Sequence, residues 1–201
     1  VKLPNILSIS RIPFLFLIVI LLQLPPNSGG ATFAFAVFVV AALTDFFDGW
    51  AARKFNQVSD LGKFLDALTD KILTLGLFIT LLSMNILPAW TLLLVLFILT
   101  REFLVTGLRL IAAKRGLVLA AEKSGKLKML FQVLSLGVLL FSQMLLYEFP
   151  DFLPDAQWNM LYQVGGVWLF CAASALTVFS GTVYMSRYGH LFLSTASEGH
   201  E

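Results

Sequence analysis

Long apolar runs, separated by short polar interruptions, recur along the whole 201-residue chain. A helix needs about 20 such residues to cross the hydrocarbon of a bilayer. On that measure the pattern predicts six spans, near 11–24, 31–52, 61–83, 88–113, 126–147 and 158–187. The first is short by itself, so residues 2–10 are expected to lie along the surface and feed into it. The last is overlong and is expected to tilt or to run out into the interface. Pro25-Pro26-Asn27-Ser28-Gly29-Gly30, residues 85–88 and residues 150–154 are breaks with turn chemistry, and 53–60 and 114–123 are polar and charged. The expected fold class is therefore all-α: a polytopic integral membrane protein with six transmembrane helices, forming one domain over 1–193 with a polar tail over 194–201. Lys2 followed by the apolar 12–22 has the outline of a signal peptide. Pro4 and Arg11 interrupt it and no small-x-small cleavage pattern follows, so a retained first helix is expected.

Composition agrees. Hydrophobic residues make up 58% and charged residues 13% of the chain, against about one half and one quarter in soluble domains. A net charge of +2 is too small to indicate nucleic acid as a partner. Its distribution is more telling. The connections at 23–30, 84–89 and 148–157 hold no Lys or Arg. Lys2, Arg11, Arg53, Lys54, Lys63, Lys114, Arg115, Lys123, Lys126, Lys128 and Arg187 all fall at the other end. The positive-inside bias then places both termini and the loops after spans two and four in the cytoplasm, in the cytoplasmic (inner) membrane of a cell. Cys171 stands alone, which excludes an intrachain disulfide, and reads as a small buried hydrophobe. Trp90 and Trp158 fall near the outer boundary, where interfacial anchoring is expected.

Candidate chemistry gathers in spans two and three. Asp45 and Asp48 are three residues apart, with Gly49 and Ala52 at the next neighbouring positions, while Gly62, Asp66 and Asp70 recur every four. Such spacings share one helix face. The short 54–60 connection predicts spans two and three as antiparallel neighbours, so the four carboxylates can converge near one cytoplasmic loop. An acid at membrane depth costs at least about 2.5 kcal/mol and needs a cavity, a partner or a metal. Arg53 and Lys71 cannot neutralise four. Hard oxygen ligands without His or Cys suit Mg²⁺ or Mn²⁺, and four carboxylates are enough for two ions. Gly49, Ala52 and Gly62 leave room for a ligand and Arg53 offers a fork for phosphate, although small residues also serve close helix packing.

The run Asp45-x2-Asp48-Gly49-x2-Ala52-Arg53-x8-Gly62-x3-Asp66-x3-Asp70 resembles the signature of the CDP-alcohol phosphotransferase family at every fixed position. The N-terminal Pro4-Asn5-Ile6-Leu7-Ser8-Ile9-Ser10-Arg11 is similar to a P-N-x-L-T-x-x-R opening in bacterial members, with Ser8 in place of Thr. The resemblance implies transfer of a substituted phosphate from a CDP-linked donor to an alcohol, with release of CMP and help from divalent metal. It implies Asp45, Asp48, Asp66 and Asp70 as metal ligands and Asp70 as the base for the attacking hydroxyl. It implies Asn5, Gly49, Ala52, Arg53 and Gly62 as the donor-binding surface, and a homodimer.

The acceptor is read from spans four and five. Residues 100–109, together with Gly125-Lys126-Leu127-Lys128, look like the bacterial members that join CDP-diacylglycerol to the sn-1 hydroxyl of glycerol 3-phosphate. Glu102, Thr106 and Arg109 recur at four and seven and form one polar stripe. Arg101, Thr106, Arg109, Lys126 and Lys128 are thus the candidate acceptor-phosphate residues, since a doubly charged acceptor needs a basic pocket. Blander readings stand beside these: an internal Arg101–Glu102 ion pair, and a positive-inside or headgroup role for Lys126 and Lys128. Inositol phosphate, serine or phosphatidylglycerol remain alternative acceptors. A transporter is disfavoured, because the acids cluster near one face and do not continue across the bilayer.

Overall fold

The computed structural model describes the backbone of residues 3–54, 60–114 and 123–189, and side chains over 9–44, 68–112, 125 and 127–189. Among these residues the chain is all-helical. The elements are α1 (Leu3–Leu22), α2 (Gly30–Lys54), α3 (Asp60–Ser83), a 3₁₀ turn at Ala89–Thr91, α4 (Leu92–Lys114) and α5 (Lys123–Glu148). A last continuous rod comprises α6 (Asp155–Met160), a π-helical segment (Leu161–Trp168) and α7 (Leu169–Tyr188). Every apolar run predicted from the sequence falls on one of these helices. Residues 2–10 differ in that their helical part, from Leu3, is continuous with α1 across Pro13, a tolerated residue in an apolar helix whose neighbours satisfy the backbone.

The breaks follow local chemistry. Asn27 and Asn85 adopt positive φ of 60° and 57°, and Gly29 has φ 81°, which Asn and Gly accept at turns at little steric cost. The α1–α2 turn is tied to the end of α5. The Asn27 amide donates to the Tyr147 carbonyl at 3.1 Å, and the Gly29 amide to Glu148 Oε2 at 3.0 Å.

Packing explains which helices meet. α1 lies against both α2 and α3, with Leu15, Ile18 and Leu22 buried. The pairing of α2 with α3 expected beside the 54–60 connection falls outside the described residues. Over their described residues α2 and α3 make little mutual contact, and α1 lies against both. Gly76 makes this possible, because a Cβ there would sit 2.5 Å from Leu15 Cδ2. α5 is the centre of the other half, packing on α2, α7 and the π-helical segment, while α4 leans on α7. Phe78 of α3 and Phe170 of α7 join the halves with ring centroids 4.8 Å apart.

The π-helical turn widens the last rod where it crosses α5. Gly165 and Gly166 lie there against Val138 and Leu139, and Ser135 Oγ donates to the Gly166 carbonyl at 3.0 Å. Trp158 is not a free interfacial anchor. Its indole donates to the Ser142 carbonyl at 2.8 Å and stacks on Tyr162, whose hydroxyl reaches the Ile86 carbonyl at 2.6 Å. A partner for its N–H on the neighbouring helix outweighs exposure at the boundary.

Among the described residues, three helices are long and apolar enough to cross a membrane: Ala89–Ala112, Leu127–Glu148 and Asp155–Tyr188. The described parts of α1 and α2, Ile9–Leu22 and Gly30–Thr44, are apolar as well. Phe16, Phe33, Leu93, Phe97, Phe103 and Phe179 point outward. So much exposed apolar surface suits lipid rather than water and fits a membrane protein.

Gly166→Val tests the α5 crossing. Its Cβ would meet Leu139 Cδ2 at 2.5 Å and Cγ at 3.0 Å, so overpacking should cost about 1–3 kcal/mol. The expected readout is a lower thermal unfolding midpoint in detergent. Gly107→Ala, whose Cβ would meet nothing within 4 Å, should leave the midpoint unchanged or raise it. Equal midpoints for wild type and Gly166→Val would contradict the close approach.

Candidate active site

At one end of the bundle α3, α4, α5 and α7 bring together polar groups that the sequence scatters over more than a hundred positions. Asp70 and Lys71 come from α3, Arg101, Glu102, Thr106 and Arg109 from α4, Lys128 from α5, and Ser180 and Tyr184 from α7. α4 carries most of them because Glu102, Thr106 and Arg109 fall on one helical stripe, as the spacing predicts.

Glu102 is the hub. It is 6% exposed, and its Oε1 accepts hydrogen bonds from Arg101 at 3.0 Å and from the Lys128 ammonium. Its Oε2 lies 3.6 Å from Lys71 Nζ. Lys71 also donates to the Glu102 main-chain carbonyl at 3.3 Å and to Thr106 Oγ1, which in turn donates to that carbonyl at 2.7 Å. One carboxylate thus holds cations from three helices. Lys128 is itself buried, at 7% exposure, so its charge has exchanged water for this partner.

α7 supports the cations from behind. Arg101 donates to Ser180 Oγ at 2.8 Å, and its side chain lies across Gly181, where a Cβ would come within 2.5 Å of Arg101 Cγ. Arg109 donates through Nε to the Tyr184 hydroxyl at 3.3 Å, with the guanidinium carbon 5.5 Å from the ring centroid. Deeper between α5 and α7, Gln132 donates to Thr177 Oγ1 at 3.3 Å. Apolar grooves flank the cluster. One of about 200 Å³ between α4 and α7 is lined by Phe97, Leu104, Val105, Val178 and Met185 beside Arg101. Another of about 210 Å³ between α3 and α4 is lined by Leu68, Leu75, Leu99 and Phe103 beside Lys71 and Thr106.

Of the residues singled out from the sequence, Asp70, Arg101, Thr106, Arg109 and Lys128 are thus brought to one end, and the ion pair foreseen for Arg101 and Glu102 is present. Asp45, Asp48, Gly49, Ala52 and Arg53 lie on the helical backbone of α2, and Gly62 and Asp66 on that of α3. Their side chains, with those of Asn5 and Lys126, lie outside the described residues. Sequence reasoning missed Lys71 as a member of the cluster and all of α7. The signal was legible: Ser174, Thr177, Ser180 and Tyr184 recur at intervals of three and four in an otherwise apolar span, and all four are buried.

Fold and site together define an all-helical membrane protein with a cation-rich polar cluster at one end of its bundle. The chain belongs to the CDP-alcohol phosphatidyltransferase family, whose model matches residues 1–184. It is 35% identical over 199 residues to a CDP-diacylglycerol–glycerol-3-phosphate 3-phosphatidyltransferase of Bacillus subtilis (strain 168), covering 92% of this chain and 94% of that protein. Proteins of the same name in Rickettsia bellii (strain RML369-C) and Escherichia coli (strain K12) are 36% and 30% identical. Those matches cover 91% and 92% of this chain and 93% of each relative.

Tyr184 is 1% exposed. Tyr184→Ala should cost about 3–5 kcal/mol, as for other buried aromatic truncations. Tyr184→Phe, which keeps the ring beside Arg109 and loses one hydrogen bond, should cost about 1 kcal/mol. Unfolding midpoints of the two variants measured side by side check the difference; matching losses would show that the hydroxyl, not the ring, holds α7 to α4.

Proposed function

We propose that this chain transfers a phosphatidyl group from CDP-diacylglycerol to the sn-1 hydroxyl of glycerol 3-phosphate, giving phosphatidylglycerophosphate and CMP. The observation that carries the acceptor is the charge of the cluster. Among the described residues, Lys71, Arg101, Arg109 and Lys128 outnumber the carboxylates beside them, Asp70 and Glu102, by two positive charges. A phosphate monoester brings about −1.5 to −2 at neutral pH, whereas serine brings no such anion. The flanking apolar grooves suit a donor whose head is charged and whose tails are lipid. The names of the bacterial relatives point the same way.

Asp70 is the proposed base. It removes the proton from the acceptor hydroxyl, the oxygen attacks the β-phosphorus of the donor, and the bond to the CMP oxygen breaks. Lys71, Arg101, Arg109, Lys126 and Lys128, with the Thr106 hydroxyl, orient the acceptor through its phosphate; Asn5, Gly49, Ala52, Arg53 and Gly62 form the proposed donor surface. Such chemistry depends mainly on positioning and on stabilising charge.

Asp45, Asp48, Asp66 and Asp70 would hold the metal. The donor set fits Mg²⁺ or Mn²⁺: α2 and α3 are helical through these positions, so each pair shares a face, and carboxylate oxygens suit hard cations. Two bound ions would supply positive charge to the diphosphate.

The same reading includes six spans, both termini and the site on the cytoplasmic side of the inner membrane, and a homodimer. The cation-free turns at 23–30 and 148–157 support that orientation. A membrane-impermeant thiol reagent added to whole cells should label Cys introduced at Ser28 or Asp151 but not at Gln57; the reverse pattern would invert the topology.

The reaction itself is tested by CMP release from CDP-diacylglycerol against glycerol 3-phosphate, serine, inositol phosphate and phosphatidylglycerol, with and without divalent metal. Release should require glycerol 3-phosphate and metal. Asp70→Asn should abolish turnover while largely sparing donor binding, and Arg109→Gln should raise the KM for glycerol 3-phosphate about tenfold or more. Full turnover in Asp70→Asn would remove the assigned base.

A further inference from the structure

Glu102 is the one member of the cluster that phosphate chemistry does not call for, since an anion is repelled by a carboxylate. It nonetheless stands at the centre. Its Oε1 takes hydrogen bonds from Arg101 and Lys128, its Oε2 faces Lys71 at 3.6 Å, and its own carbonyl receives Lys71 again at 3.3 Å. We infer that Glu102 is a positioning residue for the acceptor phosphate: it draws Lys71, Arg101 and Lys128 from three helices onto one point and holds them there. The inference rests on the reading of the acceptor as a phosphate monoester.

The physical case has three parts. First, three cations gathered without an anion would repel one another and turn toward water or separate carboxylates. Arg101 and Lys128 share a single oxygen of Glu102, which draws the two cations onto one point. Second, Glu102 does not cancel the site. With Arg109 and Asp70 counted as well, the described cluster of four cations and two carboxylates keeps two positive charges for a doubly charged phosphate. Third, the arrangement is built in advance. Glu102 is 6% exposed and Lys128 7%, Arg101 is fixed on Ser180 at 2.8 Å and across Gly181, and Lys71 is tied to Thr106. Side chains already ordered lose less freedom when the ligand arrives, and that benefit appears as affinity. A carboxylate serving only to bind helices together needs one partner, not three with a net positive remainder.

The test separates the two substrates. With the full chain purified in lipid–detergent micelles, Glu102→Gln should raise the KM for glycerol 3-phosphate about tenfold or more and leave that for CDP-diacylglycerol within about twofold. Glu102→Asp, which keeps the charge on a shorter arm, should give a smaller rise on the same axis. A purely structural role would lower the amount of active enzyme and its unfolding midpoint without splitting the two KM values. An unmoved acceptor KM in folded Glu102→Gln, or equal rises for both substrates, overturns the inference. Should Glu102→Gln fail to accumulate, Glu102→Asp decides, and no rise in its acceptor KM overturns the inference. A wild type that uses glycerol 3-phosphate together with an unmoved variant sinks this inference alone. A wild type that releases CMP only with an unphosphorylated alcohol sinks the acceptor reading and this inference with it.

Discussion

The site depends on one constraint: charges placed inside an apolar bundle must find partners there. α4 brings Arg101 and Glu102 into a region whose outward faces are Phe97, Phe103 and Leu104, and water cannot serve all of their hydrogen-bonding groups. The solution is convergence. Lys71, Arg101 and Lys128 meet on Glu102, Ser180 takes the other end of Arg101, and Tyr184 takes Arg109. Together these contacts tie α3, α5 and α7 to α4. The polar cluster therefore does structural work for the same reason that it is chemically useful.

That constraint accounts for features elsewhere in the bundle. Gly181 lets the Arg101 side chain lie flat on α7, and any side chain there would contest the space. Gly165 and Gly166 do the same for Val138 and Leu139, in a π-helical turn that lets α5 run close beside the last rod. Small residues at these crossings matter more in lipid than in water, because apolar burial gives little drive between helices there and close packing must supply it. The hydroxyls of Ser174 and Thr177 spend their hydrogen bonds on carbonyls four residues earlier. A polar seam is thereby carried between α5 and α7 without unsatisfied donors.

Much of this was legible in the sequence. Apolar runs of membrane length located the helices, and Asn27, Gly29 and Asn85 marked turns through backbone preferences that act locally. The acidic spacing from Asp45 to Asp70 identified the family before any packing was known. The cation cluster was only half legible. Arg101 beside Glu102, and Arg109 one face along, are local facts of one helix, whereas the approach of Lys71 and Lys128 to the same carboxylate depends on how three helices dock. Trp158 shows the same limit: its position suggested an interfacial anchor, but the nearby Ser142 carbonyl and Tyr162 ring claimed it.

The described parts of α2 and α3 show how packing can outweigh chain connectivity. A short connection makes two helices antiparallel, but it does not oblige them to touch along their lengths. α1 lies against both, because Leu15 finds a notch at Gly76 and because Ile18 and Leu22 bury there. A matched side chain and notch thus decides which described faces meet, and it does so by the close packing on which helices in lipid depend.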